Sequence, residues 1–376
     1  MIKVGITGQS GFIGSHLFSY LGLKDDIVRV PFEDNYFSRP GKLNDFVKRC
    51  DVIIHLAAVN RHPDEDELYR LNIELAELLL KSCEDTFSKP HIIFSSSTQE
   101  KYDNSYGRSK LDGRKLFEDW AKRNNSKFTG MIIPNVFGPF CKPYYNSVVA
   151  TFCHQLTHNE TPEIKVDKNL DLIYVNDLSM EFYRHIAGVR SENILIYSPT
   201  VYFTCTVSSL LSILNNFRDQ YLGKSVFPEL SDPFKLALFN TFRCYVPKDH
   251  YPVPLEEHSD ERGSFCEVVR SFSSGQFSIS TTRPGITRGN HFHLRKAERF
   301  AVTHGKAIIR LRRIGTPEVT EYFLSGETPS FVDIPVWHTH NISNAGDDLL
   351  STLFWVNEHY DPDDPDTFFE QVDDQH

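Results

Sequence analysis

The stretch GITGQSGFIG, Gly5 to Gly14, decides the fold of the first part of the chain. It follows a short apolar run and places Gly8, Gly11 and Gly14 immediately before a helical pattern. Glycines at a strand-to-helix turn let the backbone approach a pyrophosphate, and the helix N-terminus offers it N–H groups and a positive dipole end. The stretch therefore predicts a dinucleotide-binding turn. The alternative is a glycine turn that serves packing alone.

Apolar strands and amphipathic helices alternate along the chain after this turn. Asp51–Ala58 (DVIIHLAA) and His91–Ser97 (HIIFSSS) are apolar runs, and an amphipathic helix is predicted between them at Asp66–Cys83. Continuous apolar strands that alternate with helices are typical of a parallel sheet covered on both faces. The pattern predicts a Rossmann-type α/β fold with a doubly wound parallel sheet.

The pattern changes near residue 245. The segment YVPKDHYPVPLEEHSDERG, Tyr245–Gly263, is rich in proline and polar residues and is predicted to be a linker or an entry loop. Short β-type runs separated by Gly, Pro, Asn and Asp follow it, which is the pattern of an all-β sandwich or barrel. We therefore predict two domains, at 1–245 and at 246–376.

The composition limits the classes of partner. The chain has 376 residues and a formal net charge of −10, which argues against nucleic acid or an anionic membrane as the main partner, since phosphates attract a positive field. No apolar run of about 18 residues occurs, so no transmembrane helix is expected. The 7 cysteines are scattered without CxxC spacing, which is typical of free thiols in a reducing compartment. We expect a cytoplasmic protein.

A tyrosine and a lysine stand four residues apart in SYGRSK, Ser105–Lys110. At the start of a predicted helix this spacing puts Tyr106 and Lys110 on one face. A nearby ammonium favours the tyrosinate, so the phenol can exchange a proton with a carbonyl or hydroxyl at neutral pH. The SSST stretch, Ser95–Thr98, ends a predicted parallel strand, where ligands bind in such sheets. A hydroxyl there can hold the substrate oxygen.

Together these pieces resemble the extended short-chain dehydrogenase/reductase family that acts on nucleotide sugars. The resemblance covers residues 1 to about 240 and rests on TGQSGFIG, HLAA, Asn72 in LNIELAELLL, SSS before SYGRSK, PNVFGP and LIYVNDL. It implies that Tyr106 is the acid/base and that Lys110 tunes it and contacts the ribose. It also implies that Ser97 holds the substrate oxygen, with Ser96 and Thr98 as alternatives.

The same resemblance implies contacts with the cofactor and the sugar nucleotide. Asn135, in the PNVFG stretch, resembles the position that contacts the sugar nucleotide. An arginine is common three residues earlier in the family, but Ile132 stands there in this chain, so one usual polar contact is not provided. The implied cofactor-binding residues are Thr7, Gly8, Gly11, Phe12, Ile13, Gly14, Leu56, Ala57 and Lys110.

Near its C-terminal end the chain reads TRGNHFHLRKAE, Thr287–Glu298. His291 and His293 point to the same face of a predicted strand, and Glu298 follows five residues after His293. With His340 in the later IPVWHTHNISN stretch, this spacing resembles the two motifs of the cupin family. The resemblance implies a jelly-roll domain in which three imidazoles and one carboxylate hold Zn²⁺ or another divalent metal.

Two features leave alternatives open in these motifs. Trp337 occupies a position where cupins usually have glycine, which bears on access to the metal but not on its ligands. Sugar epimerases of the cupin fold share an RG-x-H pattern, bind no metal and use that histidine as a base, so His291 is either a ligand or a base. The full set of three histidines and one glutamate favours the metal. His304 and His338 are interpreted as structural or surface residues.

Carbonyl chemistry gives a reason to join the two domains. A ketone at C4 of a hexose acidifies the hydrogens on C3 and C5, and a metal or cationic group stabilises the enediolate-type intermediate. Reprotonation from the other face inverts the carbon, and hydride delivery to C4 then fixes the new configuration. Epimerisation therefore precedes reduction, because reduction destroys the ketone that epimerisation needs.

From end to end the chain resembles the CapF/WbjC type of bifunctional enzyme of capsule and O-antigen synthesis, which joins a reductase to a zinc cupin. The resemblance implies a UDP-4-keto-6-deoxy-N-acetylhexose substrate, C3 epimerisation by the cupin and C4 reduction by NADPH. The product would be a UDP-6-deoxy-L-talose derivative en route to UDP-N-acetyl-L-fucosamine. A homodimer is also implied. Arg262 and Arg288 are candidates for contacting the diphosphate, or are surface or packing arginines. The segments that carry the resemblance are PNVFGPFCKPYYNSVVATFC, DERGSFCE, PGITRGNHFH, DIPVWHTHNI and WVNEHYDPDDPDTFF.

The sequence gives less direct evidence for the choice between NADPH and NADH. An acidic residue after the second strand favours NAD(H), because it binds the ribose 2′-hydroxyl, whereas an arginine accommodates a 2′-phosphate. Arg29 lies inside that strand, and Glu33 and Asp34 follow it. In the glycine turn, where NADPH-using relatives often carry Lys or Arg, this chain has Gln9 and Ser10. The resemblance puts NADPH ahead of NADH, which stays the alternative.

Two other functions fit parts of the sequence. One is a monofunctional nucleotide-sugar 4-ketoreductase whose cupin is structural or dimerising. The other is a nicotinamide-responsive regulator or scaffold. The intact Tyr106/Lys110 pair and Ser97 speak against a regulator, since a sensor does not need them. The leading interpretation is the bifunctional enzyme, with a UDP-sugar as its partner.

Overall fold

The structure is a computed structural model that describes residues 1–188 and 192–373 of the chain. It divides into two compact units, of which the first comprises Met1–Phe137 and Asn169–Thr204. The second comprises Gly138–Lys168 and Cys205–His376. Helices between residues 205 and 243 therefore group with the C-terminal half, although the resemblance assigns them to the reductase. The domain boundary between residues 245 and 246 stays a prediction. The two compact units are defined by contacts within the fold, and such units need not coincide with domains defined by sequence motifs.

Helices and strands alternate in the first part of the chain, and strands dominate the last part. The helices are α1 (Phe12–Leu21), α2 (Pro40–Arg49), α3 (Glu65–Asp85), α4 (Ser105–Asn124), α5 (Val148–Thr157), α6 (Val175–Ala187), α7 (Val207–Phe217) and α8 (Pro233–Arg243). The strands are β1 (Ile2–Thr7), β2 (Ile27–Val30), β3 (Val52–His55), β4 (His91–Ser97), β5 (Phe128–Ile133), β6 (Asn135–Phe137), β7 (Asn169–Tyr174), β8 (Ile194–Tyr197), β9 (Phe203–Thr206), β10 (Val226–Phe227), β11 (Val253–Pro254), β12 (Glu257–Asp260), β13 (Gly263–Cys266), β14 (Arg270–Ser271), β15 (Gln276–Thr282), β16 (Thr287–Phe292), β17 (Glu298–His304), β18 (Lys306–Arg313), β19 (Val319–Ser325), β20 (Ser330–Ile334), β21 (His338–Asn344), β22 (Leu350–Val356) and β23 (Phe368–Phe369).

The first unit is built on a six-stranded sheet in the order β2-β1-β3-β4-β5-β8. Every neighbouring pair in it is parallel. Ile53 packs with Leu79 of α3 and Trp120 of α4, whereas its neighbour Ile54 packs with Phe182 of α6 on the opposite face. Because both faces are covered, the central strands carry buried apolar residues on both sides. The predicted doubly wound Rossmann-type sheet is confirmed.

The C-terminal part of the second unit contains two five-stranded sheets, β11-β20-β17-β22-β15 and β19-β18-β21-β16-β23. Neighbouring strands in both sheets are antiparallel. Phe300 and Val332 of the first sheet meet Ile309 and Ile342 of the second in one apolar cluster. The predicted all-β domain is confirmed, with its core between the sheets.

The proline-rich segment differs from its prediction. Val253–Pro254 forms β11, which pairs with β20 at the edge of a sheet. Glu257–Asp260 and Gly263–Cys266 form an exposed hairpin. The prediction of a linker or entry loop is therefore wrong at these strands, because proline is tolerated at a sheet edge, where its missing N–H costs no ladder bond. Across the described residues, no helix combines the length and apolar character needed to span a bilayer.

Candidate functional site

The glycine turn joins β1 to α1 and closes against the chain that follows β3. Gly8 has a φ of +70°, and a Cβ on it would meet the Ala57 backbone nitrogen at 2.9 Å. A Cβ on Gly14 would meet the Gly8 carbonyl oxygen at 2.2 Å, so neither position admits a side chain. Helix α1 begins after Gly11 without a side-chain cap, which leaves its first N–H groups to an anion. This geometry fits a dinucleotide pyrophosphate.

Thr7 and His55 tie β1 to β3 at this edge of the sheet. The Thr7 hydroxyl lies 2.9 Å from His55 Nδ1, and the Ala57 N–H donates to Thr7 Oγ1 at 3.4 Å. Burial, helped by the Lys110 ammonium, lowers the pKa of His55 to about 3, so its imidazole is neutral. The predicted cofactor contacts that the structure brings together at this turn are Thr7, Gly8, Gly11, Phe12, Ile13, Gly14, Leu56 and Ala57.

Helix α4 presents Tyr106 beside Lys110, as their spacing predicts. The N-cap Asn104 accepts the Gly107 N–H at 2.8 Å, which fixes the start of the helix. Lys110 Nζ lies 5.7 Å from the centre of the Tyr106 ring and donates to the Ser95 carbonyl at 3.0 Å. Burial lowers the pKa of Lys110 to about 8. Among the described residues no carboxylate pairs with this ammonium, so its positive potential acts on the phenol.

The three serines at the end of β4 have different partners. Ser95 Oγ donates to a backbone carbonyl of β3 at 3.2 Å, and Ser96 Oγ donates to Glu100 at 2.6 Å. Arg114 holds the same Glu100 carboxylate with two hydrogen bonds of 3.0 Å. Ser97 is partly exposed, and its Oγ accepts a backbone N–H at 3.1 Å. The Ser97 hydroxyl is therefore better placed than Ser96 to meet a ligand, although its role stays a prediction.

A cavity of about 500 Å³ opens beside Tyr106. Asn72 fixes the loop that borders it, because its side chain accepts the Val59 N–H at 2.7 Å and donates to the Val59 carbonyl at 3.0 Å. Sequence reasoning missed Arg61 and His62 in this loop, although two basic residues soon after HLAA are a signal for an anionic ligand. The lining residues are Asn60, Arg61, His62, Pro63, Glu65, Leu68, Asn104, Ser105 and Tyr106.

Three histidines and one glutamate meet in the second unit. His291 lies on β16, His293 directly after it, Glu298 at the start of β17 and His340 on β21. One ligand atom from each residue lies within 4.8 Å of the others. Glu298 Oε2 is 3.0 Å from His293 Nε2 and 3.4 Å from His340 Nε2. The structure therefore brings together all four predicted metal ligands.

Backbone carbonyls contact two of the imidazoles at the ring nitrogen that points away from the cluster. His340 Nδ1 lies 3.3 Å from the His338 carbonyl, and His293 Nδ1 contacts the carbonyl of Asp366. Both Nδ1 atoms therefore donate, and both Nε2 atoms face the cluster as lone pairs. The Asp366 carboxylate also accepts the three backbone N–H groups of residues 294–296 at 3.0 to 3.1 Å. These bonds tie the C-terminal segment to the chain that follows His293.

The converging atoms of this cluster fit a divalent cation. His293 Nε2, His340 Nε2 and Glu298 Oε2 are buried without a partner in hydrogen-bond geometry among the described residues. Burial lowers the pKa of His340 to about 3 and also lowers that of His291. Burial works to raise the pKa of Glu298, but the three histidines outweigh it and bring the value to about 2. Imidazoles around one carboxylate form a donor set that Zn²⁺ takes.

Trp337 adopts the left-handed conformation that glycine favours, with a φ of +59°. Its N–H donates to the His293 carbonyl at 2.9 Å, and its buried ring stacks on Phe292 with 5.7 Å between centroids. The bulky side chain therefore packs against β16, beside the ligand strand. His338 bonds to a backbone carbonyl and His304 is exposed, and neither belongs to the four-residue cluster.

Three predicted substrate contacts belong neither to the lining of the cavity beside Tyr106 nor to the histidine–glutamate cluster. Arg262 lies in the exposed turn of the β12–β13 hairpin and pairs with Asp260 at 2.5 Å. Arg288 is exposed on β16 and donates to a carbonyl of β15 at 3.4 Å. Asn135 is exposed at the start of β6 and donates to the Asp171 carbonyl at 3.1 Å. Their contacts with substrate stay predictions.

Comparisons with known proteins identify relatives of both parts of the chain. Residues 4–192 match the NAD dependent epimerase/dehydratase family, and residues 258–368 match the polysaccharide biosynthesis C-terminal domain. The chain is 32% identical over 370 residues to a Pseudomonas aeruginosa protein named UDP-2-acetamido-2,6-beta-L-arabino-hexul-4-ose reductase. That match covers 98% of both chains. A Bacillus subtilis spore coat polysaccharide biosynthesis protein, SpsL, is 28% identical over 122 residues, which are 30% of this chain and 81% of SpsL.

Solved structures resemble all or part of the chain. The capsular polysaccharide assembling protein CapF from Staphylococcus aureus is 35% identical with a TM-score of 0.63, and the match covers 99% of this chain and 100% of CapF. A UDP-glucose 4-epimerase from Thermotoga maritima is 20% identical with a TM-score of 0.51 and covers 58% of this chain and 82% of its own. The second likeness shows the fold alone.

Proposed function

The chain belongs to the NAD-dependent epimerase/dehydratase family and carries a polysaccharide biosynthesis C-terminal domain, and from this premise we propose that it is a nucleotide-sugar reductase of surface polysaccharide synthesis. The Pseudomonas aeruginosa relative is named a reductase of a UDP-2-acetamido-2,6-hexul-4-ose, and it matches nearly the whole chain. The substrate proposed here is of the same class, a UDP-linked 4-keto-6-deoxy-N-acetylhexose. A cytoplasmic location stays a prediction from composition.

The observation that carries the reductase is the Tyr106–Lys110 pair beside a cavity of about 500 Å³. Tyr106 donates its hydroxyl proton to the ketone oxygen while C4 is reduced, and the Lys110 ammonium stabilises the tyrosinate left behind. Ser97 orients the same oxygen through its hydroxyl. A nicotinamide dinucleotide bound at the glycine turn would supply the hydride. The tyrosinate then regains a proton from solvent.

The histidine–glutamate cluster is proposed to invert C3 before the reduction. The C4 ketone acidifies the C3 hydrogen, a base removes that proton, and a proton returns to the other face with no change in oxidation state. His293, Glu298 and His340 would hold a divalent cation, which would supply positive charge for the developing enolate. His291 is partly exposed, whereas His293 and His340 are buried. This difference supports two roles for His291, as the fourth ligand or as the base that meets the substrate.

The product of both steps would be a UDP-2-acetamido-2,6-dideoxy-L-talose, a precursor of UDP-N-acetyl-L-fucosamine. The inversion is assigned to C3 rather than C5 on the resemblance alone. NADPH, expected ahead of NADH from the same resemblance, stays a prediction. The overall sequence of reactions is supported by the chemistry, because the ketone is needed for inversion and is lost on reduction.

A homodimer is part of the proposal. β15 is an end strand of its five-stranded sheet, and its Phe277 and Ile279 side chains are 59% and 79% exposed. An apolar sheet edge favours pairing with a second copy. The same observation favours the second candidate function, a monofunctional 4-ketoreductase whose C-terminal domain only dimerises. Light scattering on the purified chain measures the oligomeric state directly.

The test of the proposed function is a reaction of the purified full-length chain with a UDP-4-keto-6-deoxy-N-acetylhexose and a reduced nicotinamide dinucleotide. Dinucleotide oxidation is followed by absorbance, and the sugar product is followed by NMR. The bifunctional enzyme yields a C4 alcohol with inverted C3. A C4 alcohol with the original C3 supports the monofunctional reductase. An unchanged ketone in the presence of both dinucleotides contradicts both functions.

A further inference from the structure

The chain that leaves β2 folds back over the glycine turn. The Phe32 N–H donates to Gln9 Oε1 at 3.0 Å, so the chain two residues after β2 is bonded to a side chain of the turn. Two residues further on, Asp34 Oδ2 accepts the Ser10 hydroxyl at 2.7 Å. Ser10 and Asp34 are both exposed, so the carboxylate faces solvent at the mouth of the turn. The turn and the acidic residue thus form one surface.

This surface is where the adenosine ribose of a dinucleotide lies in a Rossmann-type fold. The ribose rests between the glycine turn and the end of the second strand, and an acidic residue there bonds the 2′-hydroxyl. A 2′-phosphate at the same place would bring about two negative charges next to the Asp34 carboxylate. It would also have to displace the Ser10–Asp34 hydrogen bond.

The charges around this surface do not offset that repulsion. Glu33 adds a second carboxylate beside Asp34, and its Oε2 accepts a hydrogen bond from the Asn35 side chain in the same segment at 3.1 Å. The Arg29 guanidinium donates to the Phe18 carbonyl at 3.0 Å and stacks 4.4 Å from the centre of the Phe18 ring. Arg29 is therefore engaged by α1. Arg39, which precedes α2, is the other cation that this segment supplies before that helix.

We propose that Asp34 is the specificity-determining residue for the dinucleotide and that this chain takes its hydride from NADH. The residues at the ribose end fit a free 2′-hydroxyl and do not fit a 2′-phosphate, which reverses the expectation of NADPH drawn from the resemblance. This inference rests on the proposed function only in assuming that the glycine turn binds a nicotinamide dinucleotide. It concerns recognition of the ribose, so it is independent of the sugar substrate.

The experiment titrates the full-length chain into NADH and into NADPH, without sugar, and reads the nicotinamide fluorescence. Wild type is expected to bind NADH about 10- to 100-fold more tightly than NADPH, the range of one or two charge-assisted hydrogen bonds. Asp34→Asn keeps the size of the side chain and removes its charge, and it is expected to bring the two affinities to within a few-fold. Asp25→Asn removes the same charge from an exposed turn before β2 and is expected to leave the ratio unchanged.

Two further outcomes overturn the inference. Wild type that binds NADPH as tightly as NADH, or more tightly, contradicts it, and loss of that NADPH binding in Arg39→Ala would identify Arg39 as the phosphate contact. In that case the proposed reductase function stands. Binding of neither dinucleotide contradicts the inference and the proposed function together, so the two failures are distinguishable. The ratio of kcat/KM with NADH to kcat/KM with NADPH provides a second measurement of the dinucleotide preference.

Discussion

The tyrosine–lysine site encloses a cation, Lys110, whereas the histidine–glutamate cluster encloses an anion, Glu298. Lys110 is buried without a carboxylate partner among the described residues, and burial lowers its pKa to about 8. Glu298 is partly buried, with its Oε2 atom buried among three imidazoles, and they bring its pKa to about 2. The first site therefore keeps a charge that favours deprotonation nearby, whereas the second keeps a charge that attracts a cation. One arrangement is suited to moving a proton and the other to holding a metal ion.

The two sites also differ in how the chain assembles them. Tyr106 and Lys110 are neighbours on one helix, so local geometry alone sets their relation. The cluster draws on three strands and on a C-terminal segment that reaches back to His293 across 73 residues. The first site should therefore respond to changes in single side chains. The second should respond as well to changes in the segment that supports it.

The largest expected effect is on the reduction in Tyr106→Phe. Loss of the phenol proton removes the general acid, which lowers the rate of dinucleotide oxidation by about 10²- to 10⁴-fold. The measurement is steady-state turnover with the ketosugar at saturating dinucleotide. Tyr102→Phe, at an exposed position just before the same helix, is the matched control and should retain full activity. Equal losses in both variants would show that the phenol of Tyr106 has no special role.

A smaller effect is expected on metal affinity in Asp366→Ala. The substitution removes the acceptor for three backbone N–H groups next to His293, so the imidazole loses its support and Zn²⁺ affinity falls by about 10- to 100-fold. The measurement is competition with a chromophoric chelator. Asp363→Ala, exposed in the same segment, is the control. Unchanged affinity in Asp366→Ala would mean that the cluster is rigid without the C-terminal segment. Dinucleotide binding should be the same in both variants.

The smallest expected effect is a gain in stability in Lys110→Met. Burial lowers the pKa of Lys110 below its ordinary value of 10.5, so the charged form destabilises the folded state at neutral pH. Removing it should raise the free energy of unfolding by about 1–2 kcal/mol after the loss of the hydrogen bond to Ser95 is included. Chemical denaturation measures this, with Lys115→Met on the exposed side of the helix as the control.

The pH dependence of that gain has a definite sign. Between the folded pKa of about 8 and the ordinary value of 10.5, the unfolded chain binds the Lys110 proton more tightly than the folded chain. Wild-type stability therefore rises with pH relative to Lys110→Met across this window, and the difference is largest below it. A variant that is less stable than wild type at neutral pH would show that the ammonium is stabilised by contacts that outweigh its burial.

Short spacings in the sequence predicted the parts of both sites that depend on local geometry. The glycine turn and the Tyr106–Lys110 pair follow from local spacing, whereas the four residues of the cluster follow from the resemblance to the two cupin motifs. The structure brings each set together. The cavity beside Tyr106 was not predicted, because its shape depends on how Asn72 holds a loop after β3. The family resemblance includes Asn72, but it does not show which loop the Asn72 side chain holds.

Long-range contacts account for most of what the sequence did not predict. Asp366 supports His293 across 73 residues, and its own stretch, DPDDPDTFF, has the composition of a loop. The pairing of Val253–Pro254 with β20 depends on a strand far along the chain, so the segment was interpreted as a linker or an entry loop. The Ser10–Asp34 hydrogen bond decides how the acidic residues after β2 are placed. Sequence alone identified those residues but left the choice of dinucleotide open.

The most direct test of the central claim, that one chain carries two chemically independent sites, is exchange of the sugar hydrogen with solvent. The ketosugar is incubated in D₂O without dinucleotide and followed by NMR, using wild type, Tyr106→Phe and His340→Ala. The account predicts deuterium at C3 with wild type and at a similar rate with Tyr106→Phe, and none with His340→Ala. Loss of exchange in Tyr106→Phe, or its absence in metal-loaded wild type, would contradict the account.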